Sequence, residues 1–157
     1  MAPQTKALQL ALARYRDDAG RFDAQLWADA FASSEPRTIN EVVEVVGGYV
    51  GLVNHILEML RSGTKLAGLE GVHERPGVSI PEIIEAARED GCFSEKQAET
   101  LKKLNRTRNR LQHNSPGVPA DEVQERLELL MRTMPRLLSS YVDWMAERGF
   151  PLVAKRQ

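Results

Sequence analysis

The chain has few of the residues that mark several common classes of protein. Among its 157 residues there is one cysteine, Cys92, and only 6% are aromatic. A single cysteine excludes an internal disulfide and a cysteine-rich zinc site. No apolar run approaches the roughly 18 residues of a membrane span, and the N-terminus lacks an apolar signal segment, so we expect a cytoplasmic protein without membrane contact. No cluster of Asp, Glu or His has metal-ligand spacing, so we predict neither metal nor cofactor.

The overall charge is almost balanced. Lys and Arg number 21 against 22 Asp and Glu, which leaves a formal charge of −1. This balance argues against binding of nucleic acid by the overall field of the protein, although a local basic site remains open. The length favours one domain over 1–157, because chains divide only when a core outgrows roughly 250 residues. Within it we expect an N-terminal helical extension over 1–36 and a core bundle over 37–148.

Helical periodicity runs through the chain, and no segment alternates with the period of a strand. A hydroxyl residue followed three positions later by Glu or Gln, the capping-box pattern, occurs at Thr38, Ser79 and Ser94. Glycine after a periodic run marks a helix end, as at Gly63, Gly91 and Gly149. We therefore predict an all-α, antiparallel bundle of about five to six helices, with helices over 4–18, 22–33, 39–62, 80–90, 95–113 and 119–148. Pro135 should kink the last helix or remove one of its hydrogen bonds.

Three glycines lie inside the helix predicted over 39–62. Gly47, Gly48 and Gly51 occupy the side away from its apolar stripe. Each glycine costs roughly 1 kcal/mol in a helix interior, so their presence needs an explanation. We predict that a neighbouring helix of the chain or a second subunit approaches this face closely.

The helix predicted over 95–113 concentrates positive charge. Between Lys96 and His113 it carries six Lys and Arg residues against Glu99 alone. Its apolar stripe lacks one member, and that position holds Arg108. An Arg on an apolar stripe faces the interior or an interface. Two hypotheses follow: a buried or snorkelling side chain, with Glu44 or Glu58 as its candidate partner, or a phosphate-binding Arg in a groove.

His113 ends the same basic helix. Asn109 is four residues earlier on the same face and could orient the imidazole. Arg108 lies about 140° around an ideal helix from His113, so one helix brings the two together poorly. A composite site that includes a second subunit would solve this geometry. The simpler interpretation is that His113 interacts with the helix dipole.

The segment Arg108–His113, which reads RNRLQH, matches the R-x4-6-H signature of HEPN-domain ribonucleases, with a polar residue directly after the Arg. Residues Ile83–Val118 resemble the HepT-type toxins of bacterial toxin–antitoxin pairs, and Leu52–Ile56 is similar to a segment of the same group. The resemblance extends over roughly Asn40–Tyr141.

This resemblance implies a HEPN-like fold and a homodimeric, metal-independent endoribonuclease, the toxin partner of a nucleotidyltransferase-type antitoxin. Arg108 would hold the phosphate, His113 would transfer protons, and Asn109 would position His113 or the backbone. RNA would be attracted by the basic side chains Lys102, Lys103, Arg106 and Arg110. HepT-type toxins commonly carry x-Tyr after the motif His, where the antitoxin modifies the hydroxyl. This chain has Asn114-Ser115 there, so Ser115 becomes the candidate for modification.

Two other functions stay open. One is a non-catalytic HEPN-like helical module that binds a nucleotide or another protein. The other is an unrelated helical bundle in which Arg108 forms a buried ion pair and the motif is coincidental.

Overall fold

The computed structural model describes residues 39–69, 77–114 and 117–150. They form four helices: α1 (Ile39–Leu66), α2 (Ile80–Glu89), α3 (Glu95–Asn114) and α4 (Ala120–Glu147). These ranges contain no strand, which confirms the all-α class. All four helices were predicted, with ends within four residues. The helices predicted over 4–18 and 22–33 lie outside the described residues.

Capping boxes begin two of the helices, as predicted. At the start of α2, the Glu82 amide donates to Ser79 Oγ (3.3 Å), and the Ser79 amide donates to a Glu82 carboxylate oxygen (3.1 Å). At the start of α3, the Gln97 amide donates to Ser94 Oγ (3.1 Å), and the Ser94 amide donates to Gln97 Oε1 (2.9 Å). Each box satisfies backbone donors that the first helical turn leaves without partners.

The predicted end of α1 at Gly63 is wrong, because the helix continues to Leu66. Gly63 lies instead where the Tyr141 ring crosses α1, and a Cβ there would stand only 2.9 Å from Tyr141 Cε1. The Tyr141 hydroxyl donates to the Met59 carbonyl at 2.5 Å. The left-handed residue that follows α1 is Gly68, with φ of 70°.

The other two glycines predicted to end helices do so. Gly91 and Gly149, which follow α2 and α4, have φ of 93° and 89°. Both take the left-handed conformation that glycine adopts without a steric cost. Pro135 lies inside α4, which continues through it as one helix. Because proline has no N–H, the Met131 carbonyl lacks its helical partner there.

A single cluster of buried apolar side chains joins the four helices. Helices α1 and α3 each pack against all of the others. The stripe predicted on α1 is buried from Tyr49 to Leu60, and the stripe predicted on α3 is buried at Leu101, Leu104 and Leu111. None of the helices in the described part of the chain is both long and apolar enough to cross a membrane.

At Gly47 and Gly51, the glycine-rich face of α1 has no close neighbour within the described part of the chain. A Cβ built on Gly47 or on Gly51 would meet nothing within 4 Å. The prediction that a neighbouring helix of the same chain approaches these two positions is therefore wrong for the described residues. The other half of that prediction, a second subunit against this face, stays a prediction.

Candidate functional site

Arg108 of α3 points toward α1 and is held by three asparagine side chains. Its Nη1 donates to Asn54 Oδ1 at 2.6 Å, and its Nη2 donates to Asn105 Oδ1 at 3.0 Å and to Asn109 Oδ1 at 2.7 Å. A guanidinium only donates hydrogen bonds, so each amide must present its oxygen. We call Asn54, Asn105 and Asn109 the amide cradle.

The amide cradle orients Arg108 but leaves its charge uncompensated. Asn105 is only 2% exposed, and Nε of Arg108 is buried with no hydrogen-bond partner. Burial lowers the pKa of Arg108 from its ordinary value, because desolvation disfavours the charged form. Amide oxygens carry no net charge, so the guanidinium keeps its full positive charge among these partners.

The predicted ion pair with Glu58 does not form. The hydrogen bonds of Arg108 go to the amide cradle, and Glu58 is exposed to solvent. The side chain of Glu44, the other predicted partner, lies outside the described residues. Among the described side chains, Arg108 is therefore a cation without a carboxylate.

Arg108 opens into a shallow pocket between α1 and α3. The pocket has a volume of about 300 Å³, and its wall includes Asn54 and a second cation, Arg61. Glu58, Leu57 and Ile80 complete its described lining. A pocket of this volume can admit a phosphate group beside the guanidinium.

His113 faces a different pocket. This second pocket, of about 330 Å³, is lined by Asn109, Arg110, His113 and Gly117. His113 is exposed, and no hydrogen bond joins it to another described side chain. The amide oxygen of Asn109 binds Arg108, so it does not orient the imidazole. Asn109 lies between the two predicted catalytic side chains, but one chain alone does not bring Arg108 and His113 into one pocket.

The four basic residues predicted to attract RNA divide into two kinds. Lys102 Nζ lies 2.7 Å from a Glu85 oxygen and 3.7 Å from a Glu99 oxygen, and Arg110 is paired with Glu122. Lys103 and Arg106 are exposed and have no ion-pair partner among the described residues. These two therefore supply the free positive charge on the outer face of α3. Ser115, the predicted modification site, lies outside the described residues.

Comparisons of this chain with protein-family models, with curated proteins and with solved structures find no match. The site must therefore be interpreted from its own chemistry.

Two of the three cradle residues, Asn54 and Asn105, were not singled out from the sequence. Asn54 lies in the stretch Leu52–Ile56, and Asn105 precedes Arg108 by one helical turn. The signal available in the sequence was therefore an asparagine on α1 and another on α3, each on the side that faces Arg108. Within the described part of the chain, no group of three or more His, Cys, Asp or Glu side chains is placed to hold a metal ion.

Proposed function

We propose that this protein is a metal-independent endoribonuclease of the HEPN type. The observation that carries the proposal is Arg108, a partly buried cation that three neutral oxygens hold in place without cancelling its charge. A planar guanidinium suits a phosphodiester, and a fixed one costs little reorganisation when charge develops on the phosphorus.

The chemistry of RNA cleavage assigns a role to each predicted residue. The 2′-hydroxyl must lose a proton to attack the phosphorus, and the 5′-oxygen must gain a proton to leave. His113 would transfer these protons, because an imidazole can both accept and donate a proton. Arg108 would stabilise the extra negative charge on the phosphorane. Asn109 was predicted to position His113. Here it would fix Arg108 instead, because the amide oxygen of Asn109 accepts a hydrogen bond from Arg108.

The active site would be composite. Arg108 and His113 line separate pockets of one chain, so catalysis requires a partner copy that brings its own histidine to the arginine. We therefore propose a homodimer with the basic face of α3 beside the groove. Lys103 and Arg106 would attract the RNA backbone from that face.

The cellular role follows from the resemblance alone. We propose that the protein is a cytoplasmic toxin with a HEPN-like antiparallel bundle, neutralised by a nucleotidyltransferase-type antitoxin. Ser115 would be the hydroxyl that such an antitoxin modifies.

The alternative is a non-catalytic helical module that binds a nucleotide or another protein through Arg108. The separation of Arg108 and His113 into two pockets favours this alternative, since binding needs only the arginine. The two functions differ in their need for His113: RNA cleavage requires it, and binding of a ligand through Arg108 does not.

Incubation of the purified protein with tRNA and mRNA in EDTA tests the proposal. The wild type should leave 2′,3′-cyclic phosphate ends. Arg108→Ala and His113→Ala should each lower the rate by about 100-fold or more. Lys65→Gln, which removes an exposed charge of α1 outside either pocket, is the control and should cleave at the wild-type rate.

Mixing the two inactive variants tests the composite site. Random mixing of the two variants makes half of the dimers heterodimers. If each site takes Arg108 from one copy and His113 from the other, each heterodimer regains one of its two sites. The mixture should then recover about a quarter of wild-type activity. No cleavage by the wild type would contradict the enzyme proposal, and binding of nucleotides that depends on Arg108 but not on His113 would establish the alternative.

A further inference from the structure

A wider cleft lies between the N-terminal half of α3 and the middle of α4. Its volume is about 700 Å³, and three cations line it: Lys96 of α3, and Arg132 and Arg136 of α4. None of its described lining residues is acidic. Lys96 precedes Arg108 by twelve residues, or about 18 Å of helix rise, so this cationic cleft is separate from the pockets of Arg108 and His113.

Among the described residues, no carboxylate pairs with the three positive charges of the cationic cleft. All three side chains are exposed, and none forms an ion pair with a described residue. The acidic residues one turn away are occupied elsewhere: Glu99 lies 3.7 Å from Lys102, and Glu128 accepts from Gln124 at 3.3 Å. Arg132 and Arg136 are four residues apart on one helix, an arrangement of like charges that destabilises the helix in isolation.

The neutral polar groups of the cationic cleft already have partners inside the protein. Thr100 donates to the Lys96 carbonyl (3.0 Å), and Thr133 donates to the Leu129 carbonyl (2.7 Å). The amide nitrogen of Gln97 donates to Ser140 Oγ (2.9 Å). The lysine and the two arginines are therefore the main donors left for a ligand, and they select for negative charge.

We propose that the cationic cleft binds a ligand that carries two or more linked phosphates. Three cations along one cleft exceed what one phosphate needs, and arginine forks match phosphate oxygens. The volume lies in the range of sites for small organic ligands. Leu129, which is half-buried, also lines the cleft and offers apolar surface to a less polar part of the ligand. Such phosphates occur in a nucleoside polyphosphate and along a single nucleic-acid strand.

Calorimetric titration with inorganic tripolyphosphate tests the cationic cleft independently of any ribonuclease activity. In Arg132→Gln/Arg136→Gln, affinity for tripolyphosphate should fall by about 10-fold or more, and the affinity should depend less steeply on salt concentration, because two of the three charges that salt screens are gone. The matched control is Lys65→Glu, which lowers the net charge by the same two units at an exposed position of α1 outside the described lining of all three pockets. Its affinity should change by less than about 2-fold. Far-UV circular dichroism should be unchanged in both variants, because all three side chains are exposed.

Equal losses in Arg132→Gln/Arg136→Gln and in Lys65→Glu would overturn the proposal, since binding would then follow overall charge. Failure of tripolyphosphate to bind the wild type would overturn it as well. Where binding depends on Arg132 and Arg136, competition identifies the source of the phosphates. A short single-stranded oligonucleotide that displaces tripolyphosphate indicates a nucleic-acid strand, and displacement by ATP alone indicates a nucleoside polyphosphate.

Discussion

Two glycines of α1 should respond in opposite directions to alanine. Gly51 lies in the helix interior, where an added Cβ would have nothing within 4 Å, whereas a Cβ on Gly63 would overlap the Tyr141 phenol. Alanine is about 1 kcal/mol better than glycine in a helix interior. Gly51→Ala should therefore raise the free energy of unfolding by about 0.5–1 kcal/mol.

The same propensity gain at Gly63 is outweighed by the contact with Tyr141. The ring is 3% exposed and its hydroxyl is held by the Met59 carbonyl, so it has little room to move away. Overpacking of a buried site costs about 1–3 kcal/mol, and loss of the hydrogen bond costs about 1 kcal/mol. After subtraction of the helix-propensity gain, Gly63→Ala should lower the free energy of unfolding by about 1–3 kcal/mol.

Urea unfolding of both variants measures these changes, and a double-mutant cycle identifies their cause. Tyr141→Phe removes the hydroxyl oxygen, the atom of the side chain closest to the added Cβ, while Cε1 and Cζ remain at 2.9 and 3.0 Å. Gly63→Ala should therefore cost about 1 kcal/mol less in the Tyr141→Phe background. Stabilisation by Gly63→Ala, equal to that by Gly51→Ala, would refute the reasoning.

Two further substitutions test contacts of α3. Tyr49→Phe should lower the free energy of unfolding by about 1 kcal/mol in urea, because the Tyr49 hydroxyl donates to the Leu104 carbonyl at 2.8 Å in the core; an unchanged value would contradict this. Arg88 and Lys102 hold the pKa of Glu85 down to about 2 from 4.5. A carboxylate with a lowered pKa stabilises the fold above its ordinary pKa and loses that effect as the pH falls. Wild type and Glu85→Gln should therefore differ most in urea midpoint at neutral pH. This difference should disappear toward pH 2. A pH-independent difference would exclude the carboxylate as its source.

The parts of the fold that were predictable depend on residues close together in the chain. A capping box spans four residues, so Ser79 and Ser94 identify helix starts without knowledge of the rest of the fold. A helical stripe repeats within one or two turns, which is why the buried positions of α3 were recognised. These signals depend on backbone geometry that each segment carries alone.

The parts that were not predictable depend on contacts between distant segments. A glycine that ends a helix and a glycine that makes room for a ring look the same in sequence, and only Tyr141, from another helix, decides the case of Gly63. Asn54 is 54 residues from Arg108. No local pattern relates the two, so Glu44 and Glu58 were predicted as partners of the guanidinium and Asn54 was missed.

Arg108 does point toward α1, as its position on an apolar stripe predicted, and its hydrogen-bond partners bear on the two hypotheses for its role. If the side chain served stability alone, a leucine would complete the stripe and gain about 1.5–3 kcal/mol from burial. A carboxylate would stabilise a buried cation more directly than amides do, but it would also cancel the charge. Three asparagines fix the guanidinium and leave the charge intact. That combination is what the proposed binding of an anion from outside the chain requires, whereas packing alone would select a hydrocarbon side chain at this position.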